Sequence, residues 1–196
     1  MTMQARAVET RRAIIQAAAD AFVQHGFAGA SLAEIATQAR VTKGALYFHF
    51  PSKIALAEAM IQTQREVNEA FEEYVRHFQG TQLELLINMT RLLARRLQED
   101  TTLQAAMRLA VERGSSENPH IFATYQIWER SAAGVIAAGQ ERGEITRDAD
   151  GAALARFLVA AFTGIQTISL VEASLSDLDE RLDEMWQLLR PRLEPS

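Results

Sequence analysis

The sequence predicts an all-α protein of about nine helices. Three observations carry this. Apolar residues recur at three- and four-residue steps along nearly the whole chain. Alanine and leucine, strong helix formers, are abundant, and only four prolines interrupt 196 residues. No stretch of useful length alternates apolar and polar residues as a half-buried strand does.

The elements follow in order. A first helix is expected over about residues 9–25, with Ile14, Ile15, Ala18, Ala21 and Phe22 on one face and Gly26 as its stop. Ser31-Leu-Ala-Glu34 has the spacing of a capping box and should start a short helix over 32–38. Thr42 offers the next N-cap and opens a second short helix through Tyr47. Pro51-Ser52 breaks the chain, and Ser52 caps a long helix over 53–77. Further helices are expected at 81–98, 102–113, 119–142, 149–172 and 177–190. Gly80-Thr81, Glu99 to Thr101, Gly114 to Pro119, Gly143 and Ser174 to Asp177 punctuate them. Two regions result: a three-helix head, 1–52, and a larger helical body, 53–196.

Composition narrows the function. Cysteine is absent, which excludes disulfides and thiolate metal sites. His25, His49, His77 and His120 stand alone in sequence, without the spacing of a metal-binding pair. GxSxG, P-loop and GxGxxG patterns do not occur, so neither catalysis nor a cofactor is expected. The first residues are polar and no uninterrupted apolar run looks long enough to span a bilayer, so a cytoplasmic protein is expected. The formal net charge is −5, but it is unevenly spread: residues 1–53 carry +3 and residues 54–196 carry −8. A basic head on an acidic body suits a chain whose head alone meets phosphate.

Residues 31–50, SLAEIATQARVTKGALYFHF, carry the sharpest signal. Two helices of about two turns are joined by Gln38-Ala39-Arg40-Val41, room only for a sharp corner. Leu32, Ile35, Ala36, Val41 and Leu46 supply the apolar surface to pack the pair against Ile14, Ala18 and Phe22. That is a helix-turn-helix, whose second helix enters the major groove by its N-terminal end. At that end stand Thr42, Lys43, Gly44 and Ala45. The small residues allow close approach, and Thr42 and Lys43 can donate to phosphate or base edges. Tyr47 and His49 end the helix with donors at the height of flanking phosphates, and Lys53 adds a phosphate contact. The bland alternative is a core-forming helix pair in which Tyr47-Phe48-His49-Phe50 is buried.

The run from Thr10 to Leu56 closely resembles the DNA-binding domain of the TetR family of repressors. The matching pieces are TRRAIIQAAADAFVQHGFAGASLAEIA and VTKGALYFHFPSKIALA. Ile54 departs from the pattern, where the family usually has an acid. The body is similar to the γ-butyrolactone-type autoregulator receptors of actinomycetes, through LQAAMRLAVERG, YQIWER, AAFTGIQTIS and DEMWQLL. The resemblance implies a homodimeric repressor that binds double-stranded operator DNA and releases it when a small molecule fills the body.

By that resemblance Trp128 touches the ligand; the alternative is a simple core tryptophan. Thr163 and Gln166 interrupt an apolar run and are candidate polar ligand contacts, although a threonine in a helix often bonds its own backbone. Gln64 is a further polar candidate. Leu85, Met89, Met107 and Phe162, with Leu92, are candidate apolar lining, each also readable as plain core. For the dimer interface, Leu154, Phe157, Leu158, Ala161 and Ile165, with Leu182, Met185 and Trp186, offer more apolar surface than one bundle needs, and a four-helix contact between two copies is expected. Two alternatives stay open: a sensor of antibiotics or other lipophilic compounds, and an all-helical protein-interaction module.

Overall fold

The computed structural model describes the backbone of residues 3–117 and 119–195 and the side chains of 4–60, 73–112 and 125–195. Among the described residues the secondary structure is helical, with no strand. The helices are α1 (Met3–Gly29), α2 (Leu32–Gln38), α3 (Lys43–His49), α4 (Lys53–His77), α5 (Gln82–Glu99), α6 (Thr101–Glu117), α7 (Pro119–Arg142), α8 (Gly151–Ala173) and α9 (Leu178–Leu193). The chain forms two compact units. The first holds Met1–Asn68 and Glu99–Ile121, the second Glu69–Gln98 and Phe122–Ser196. The boundary expected at 52/53 therefore lies inside the first unit.

In the first unit, Ile14, Ala18 and Phe22 of α1 meet Ile35 and Ala36 of α2 and Leu46 of α3 in one buried cluster, with Leu32 and Val41 packed against it. Leu56, Ala57 and Met60 of α4 join it, and so do Ala105, Ala106 and Leu109 of α6. Thus α6, more than fifty residues downstream of α3, completes the core of the head. Local periodicity marks α6 as amphipathic but cannot name its partner.

The ends of the short helices are set by hydrogen bonds. Ser31 Oγ accepts the Ala33 N–H at 3.3 Å, and Thr42 Oγ1 accepts the Ala45 N–H at 3.1 Å. Between them, Arg40 takes the left-handed conformation (φ 57°). Its N–H bonds Thr37 O at 3.0 Å, and the Val41 N–H bonds Ala36 O at 2.9 Å. These two bonds make a Schellman motif, so the corner closes without a glycine. Gly26 (φ 68°, ψ −179°) breaks α1 before its last turn, in a region of backbone space open almost only to glycine.

In the second unit a complete capping box forms at Thr81 and Glu84, where the sequence suggested only a boundary. The Thr81 N–H donates to Glu84 Oε2 at 2.9 Å, and the Glu84 N–H donates to Thr81 Oγ1 at 3.2 Å. These hydrogen bonds hold the Glu84 carboxyl below the usual carboxylate range. Trp186 of α9 is 3% exposed, and its indole N–H donates to Thr90 Oγ1 of α5 at 2.8 Å. Leu158, Leu182 and Met185 are buried with it. These four residues are buried within their own chain and so offer a partner little surface.

One face of α8 buries Ala155, Leu158, Phe162, Gln166 and Ser169. The opposite face is also apolar, so α8 is long and apolar enough to cross a membrane by length and composition alone, with a mean hydropathy of 1.6. Arg156 and Glu172 lie within the helix, and spanning length in itself does not distinguish a membrane helix from one between two apolar surfaces.

The turn after α8 carries two left-handed residues, Ser174 and Leu175. Beside it, the buried Ser169 hydroxyl donates to Asp177, and Arg181 Nε donates to the same carboxylate at 2.7 Å. Both donors hold the Asp177 carboxyl below its ordinary range. A depressed carboxylate stabilises the fold above its unfolded pKa of about 3.9, and that contribution is lost as pH falls toward the folded value. Asp177→Asn keeps an acceptor for Ser169 but loses the charge. It should melt below the parent at pH 7, with the gap closing below about pH 4; thermal melts across pH 3–7 check this.

Candidate functional site

The α3 helix presents the residues expected of a recognition helix. Thr42, Lys43 and Gly44 are exposed, and Ala45 and His49 are half-buried. Leu46 and Phe50 point the other way, into the core. The four-residue aromatic run is therefore divided. Phe50 is buried beneath the Arg11 guanidinium, 5.2 Å from the ring centroid. Tyr47 is about half exposed, and Phe48 is 83% exposed with its ring edge-on to His49 at 5.3 Å. Sequence reasoning left Phe48 unassigned. The signal was its place two residues from a core-facing position on either side, on the outer face of α3 with Gly44 and Tyr47. A surface groove of about 350 Å³, lined by Ser31, Lys43, Tyr47 and Lys53 among others, flanks the helix.

Lys53 behaves differently from a plain phosphate donor. Its ammonium donates to Ala30 O at 3.0 Å and Ala28 O at 3.3 Å, and sits 4.7 Å from the centre of the Phe27 ring. Two of its three donors thus hold the turn after α1. From α6, Glu112 accepts the Phe27 N–H at 2.7 Å, and Arg108, paired with Glu112 at 2.7 Å, donates to Val23 O. The corner between α1 and α2 is fastened from both α4 and α6.

In the second unit, Tyr125 and Trp128 of α7 lie one helical turn apart with ring centroids 5.8 Å apart and planes at 83°. Both are half-buried. The polar candidates of α8 are already engaged. The Thr163 hydroxyl donates to Val159 O at 2.8 Å, the backbone bond that the bland reading allowed. Gln166, 3% exposed, donates to Thr167 Oγ1 at 2.9 Å, and Thr167 in turn donates to Thr163 O at 2.7 Å. The Tyr125 hydroxyl is different. It is buried and has no hydrogen-bond partner among the described residues. Burial pushes its pKa up, and the Thr163 hydroxyl beside it, which does not reach hydrogen-bond geometry, offsets part of that rise. Sequence reasoning missed Tyr125, although its spacing of three from Trp128 places the two on one helix face.

The apolar candidates Leu85, Met89 and Phe162 are buried in this second unit, whereas Met107 is buried in α6 of the first. The side chain of Gln64 lies outside the described residues.

The outer face of α8 is a stripe of Phe157, Ala161, Gly164, Ile168 and Val171, at steps of four, three, four and three. Phe157 is 52% exposed and Val171 79%, and Leu188 of α9 is exposed as well. Of the residues expected at a dimer contact, Phe157 and Ala161 lie on this stripe, with Leu154 and Ile165 half-buried at its margins.

Comparison with known proteins finds matches along most of the chain. Residues 14–60 match the model of the tetR family of bacterial regulatory proteins, and residues 80–195 match the tetracyclin repressor-like C-terminal domain. The chain is 37% identical over 193 residues to the A-factor receptor protein of Streptomyces griseus, covering 98% of this chain and 67% of that one. A crystal structure of a gamma-butyrolactone receptor, an ArpA-like protein, superposes with a TM-score of 0.83 at 31% identity, over 97% of this chain and 90% of that one. CprB from Streptomyces coelicolor, solved in complex with its biological operator sequence, gives a TM-score of 0.85 at 31% identity, over 97% and 91% of the two chains. With both halves matched, and a relative above 30% identity along nearly the whole of this chain, the protein belongs to the tetR family of bacterial regulatory proteins.

Proposed function

We propose that this protein is a ligand-responsive transcriptional repressor. As a homodimer in the cytoplasm it holds a palindromic operator through α3. It releases that operator when a small amphipathic molecule of the γ-butyrolactone type binds in the second compact unit. One observation carries the reading: α3 puts Thr42, Lys43, Gly44, Tyr47 and Phe48 on its exposed face while Leu46 and Phe50 anchor it from behind. A short helix fixed by its inner face and open at its N-terminal end can enter a major groove. The likeness to a structure solved with operator DNA supports the partner, and the likeness to the A-factor receptor protein supports the effector class.

Release is a population shift. An effector that favours the DNA-incompetent state by about 2–3 kcal/mol lowers operator affinity some 30–150-fold. The test is selection of binding duplexes from a randomised library at low salt, followed by titration of the complexes with γ-butyrolactones and, separately, with lipophilic antibiotics. An inverted repeat released by the lactones is expected. Failure to enrich any duplex would overturn the reading, and release by the antibiotics alone would overturn the effector class.

The two lysines should separate. Lys43→Ala should weaken binding and reduce the slope of log affinity against log salt by about one for each phosphate the ammonium neutralises, with little change in melting temperature. Lys53→Ala should also lower the melting temperature, because Ala28 O and Ala30 O lose their donor. Fluorescence anisotropy at several salt concentrations, beside thermal melts, reads both.

A further inference from the structure

We propose that the Tyr125 hydroxyl is the polar anchor of the effector site, donating a hydrogen bond to a carbonyl or ether oxygen of the bound molecule. The proposal rests on the effector-binding reading above and deepens it. Among the polar groups around the α7 and α8 aromatics, Thr163, Gln166 and Thr167 each have an internal partner. The Tyr125 hydroxyl is buried with none among the described residues. Its ring meets Trp128 edge-on at 5.8 Å, and both side chains keep part of their surface open. A buried hydroxyl deprived of water and of protein partners is a cost that a packed core ordinarily avoids. A ligand oxygen that reaches it removes that cost, and an apolar ligand cannot.

The phenol is protonated at neutral pH, and burial raises its pKa further above the ordinary value, so it has a proton to donate. The matching ligand is neutral and bears an acceptor oxygen beside an apolar body that packs on Trp128. A lactone or ester fits this description.

The experiment compares the parent and Tyr125→Phe, an isosteric change that removes only the oxygen. The probes are an alkyl γ-butyrolactone and the matching alkylcyclopentane, which lacks both lactone oxygens. Binding is read by tryptophan fluorescence and by release of an operator duplex. The variant should bind the lactone about 3–10-fold more weakly, the worth of one hydrogen bond, and bind the carbocycle as the parent does. Its melting temperature without ligand should equal or exceed that of the parent, because the unmatched hydroxyl is gone. A purely structural role for the hydroxyl would lower that temperature instead. Equal lactone binding by parent and variant overturns the anchor and leaves the effector reading intact. Equal losses for both probes overturn it in favour of packing. A parent that binds neither probe and keeps its operator in their presence overturns the effector reading, and the anchor falls with it.

Discussion

Phe157→Glu combined with Ile168→Glu should turn the dimer into a monomer and remove most of its hold on an operator. The two positions are eleven residues apart, three helical turns, on the same outer stripe of α8. Both are about half exposed in the single chain, so the substitutions leave its own core intact. In a twofold interface every substitution occurs twice, which places four carboxylates against an apolar surface. Losing the second head removes the avidity of paired half-sites, worth about 10²–10⁴-fold in affinity. Sedimentation velocity should show a single-chain species that keeps its helical circular dichroism, and binding to a full inverted repeat should fall toward that of one half-site. A double variant that still sediments as a dimer would place the interface elsewhere.

Gly26→Ala should have the largest effect on stability. Gly26 lies at φ 68° and ψ −179°, where a side chain costs about 1–3 kcal/mol. A Cβ built there would approach Glu112 Oε1 to 2.5 Å. The carboxylate must then move and release the Phe27 N–H, a bond worth about 1–2 kcal/mol at this partly exposed position. Together these suggest about 3 kcal/mol and a melting temperature roughly 6–12 °C lower. The same change made on a Glu112→Ala background should cost less, because only the backbone strain remains. A double-mutant cycle by thermal or urea unfolding reads the difference; additivity would show that the carboxylate and the Cβ do not meet.

The capping signals show how far local sequence reaches. Ser31 and Thr42 sit at helix starts and accept early backbone N–H groups as their residue types and spacing lead one to expect. Gly143 follows the end of α7 where the pattern places a stop, whereas Gly26 breaks α1 without ending it, since the helix resumes through Gly29. At Arg40 the same kind of corner closes on a residue that carries no turn signal, because the Schellman hydrogen bonds and the packing of Leu32 and Val41 hold it there. At the α8–α9 turn, left-handed Ser174 and Leu175 likewise sit beside a network of Ser169, Asp177 and Arg181 that no spacing rule announces.

The effector candidates divide along the same line. Trp128 is marked by the resemblance of YQIWER to the receptor branch, while Tyr125 stands out only when the hydrogen bonds around it are followed. Thr163 and Gln166 looked like ligand groups because they interrupt an apolar run, but partners within α8 satisfy both.

The sequence by itself determined the helical class, the order and limits of most elements and the recognition helix, since these depend on periodicity, caps and residue types within a turn or two. Only the tertiary structure decided that α6 closes the head, that Trp186 and Leu182 face inward while Phe157 and Val171 face out, and that Lys53 spends its charge on two carbonyls. The reason is physical. An amphipathic pattern says that a face must be covered, but what covers it depends on residues far away in the chain, and a hydrogen-bonding group shows whether it is satisfied only when those residues are in place.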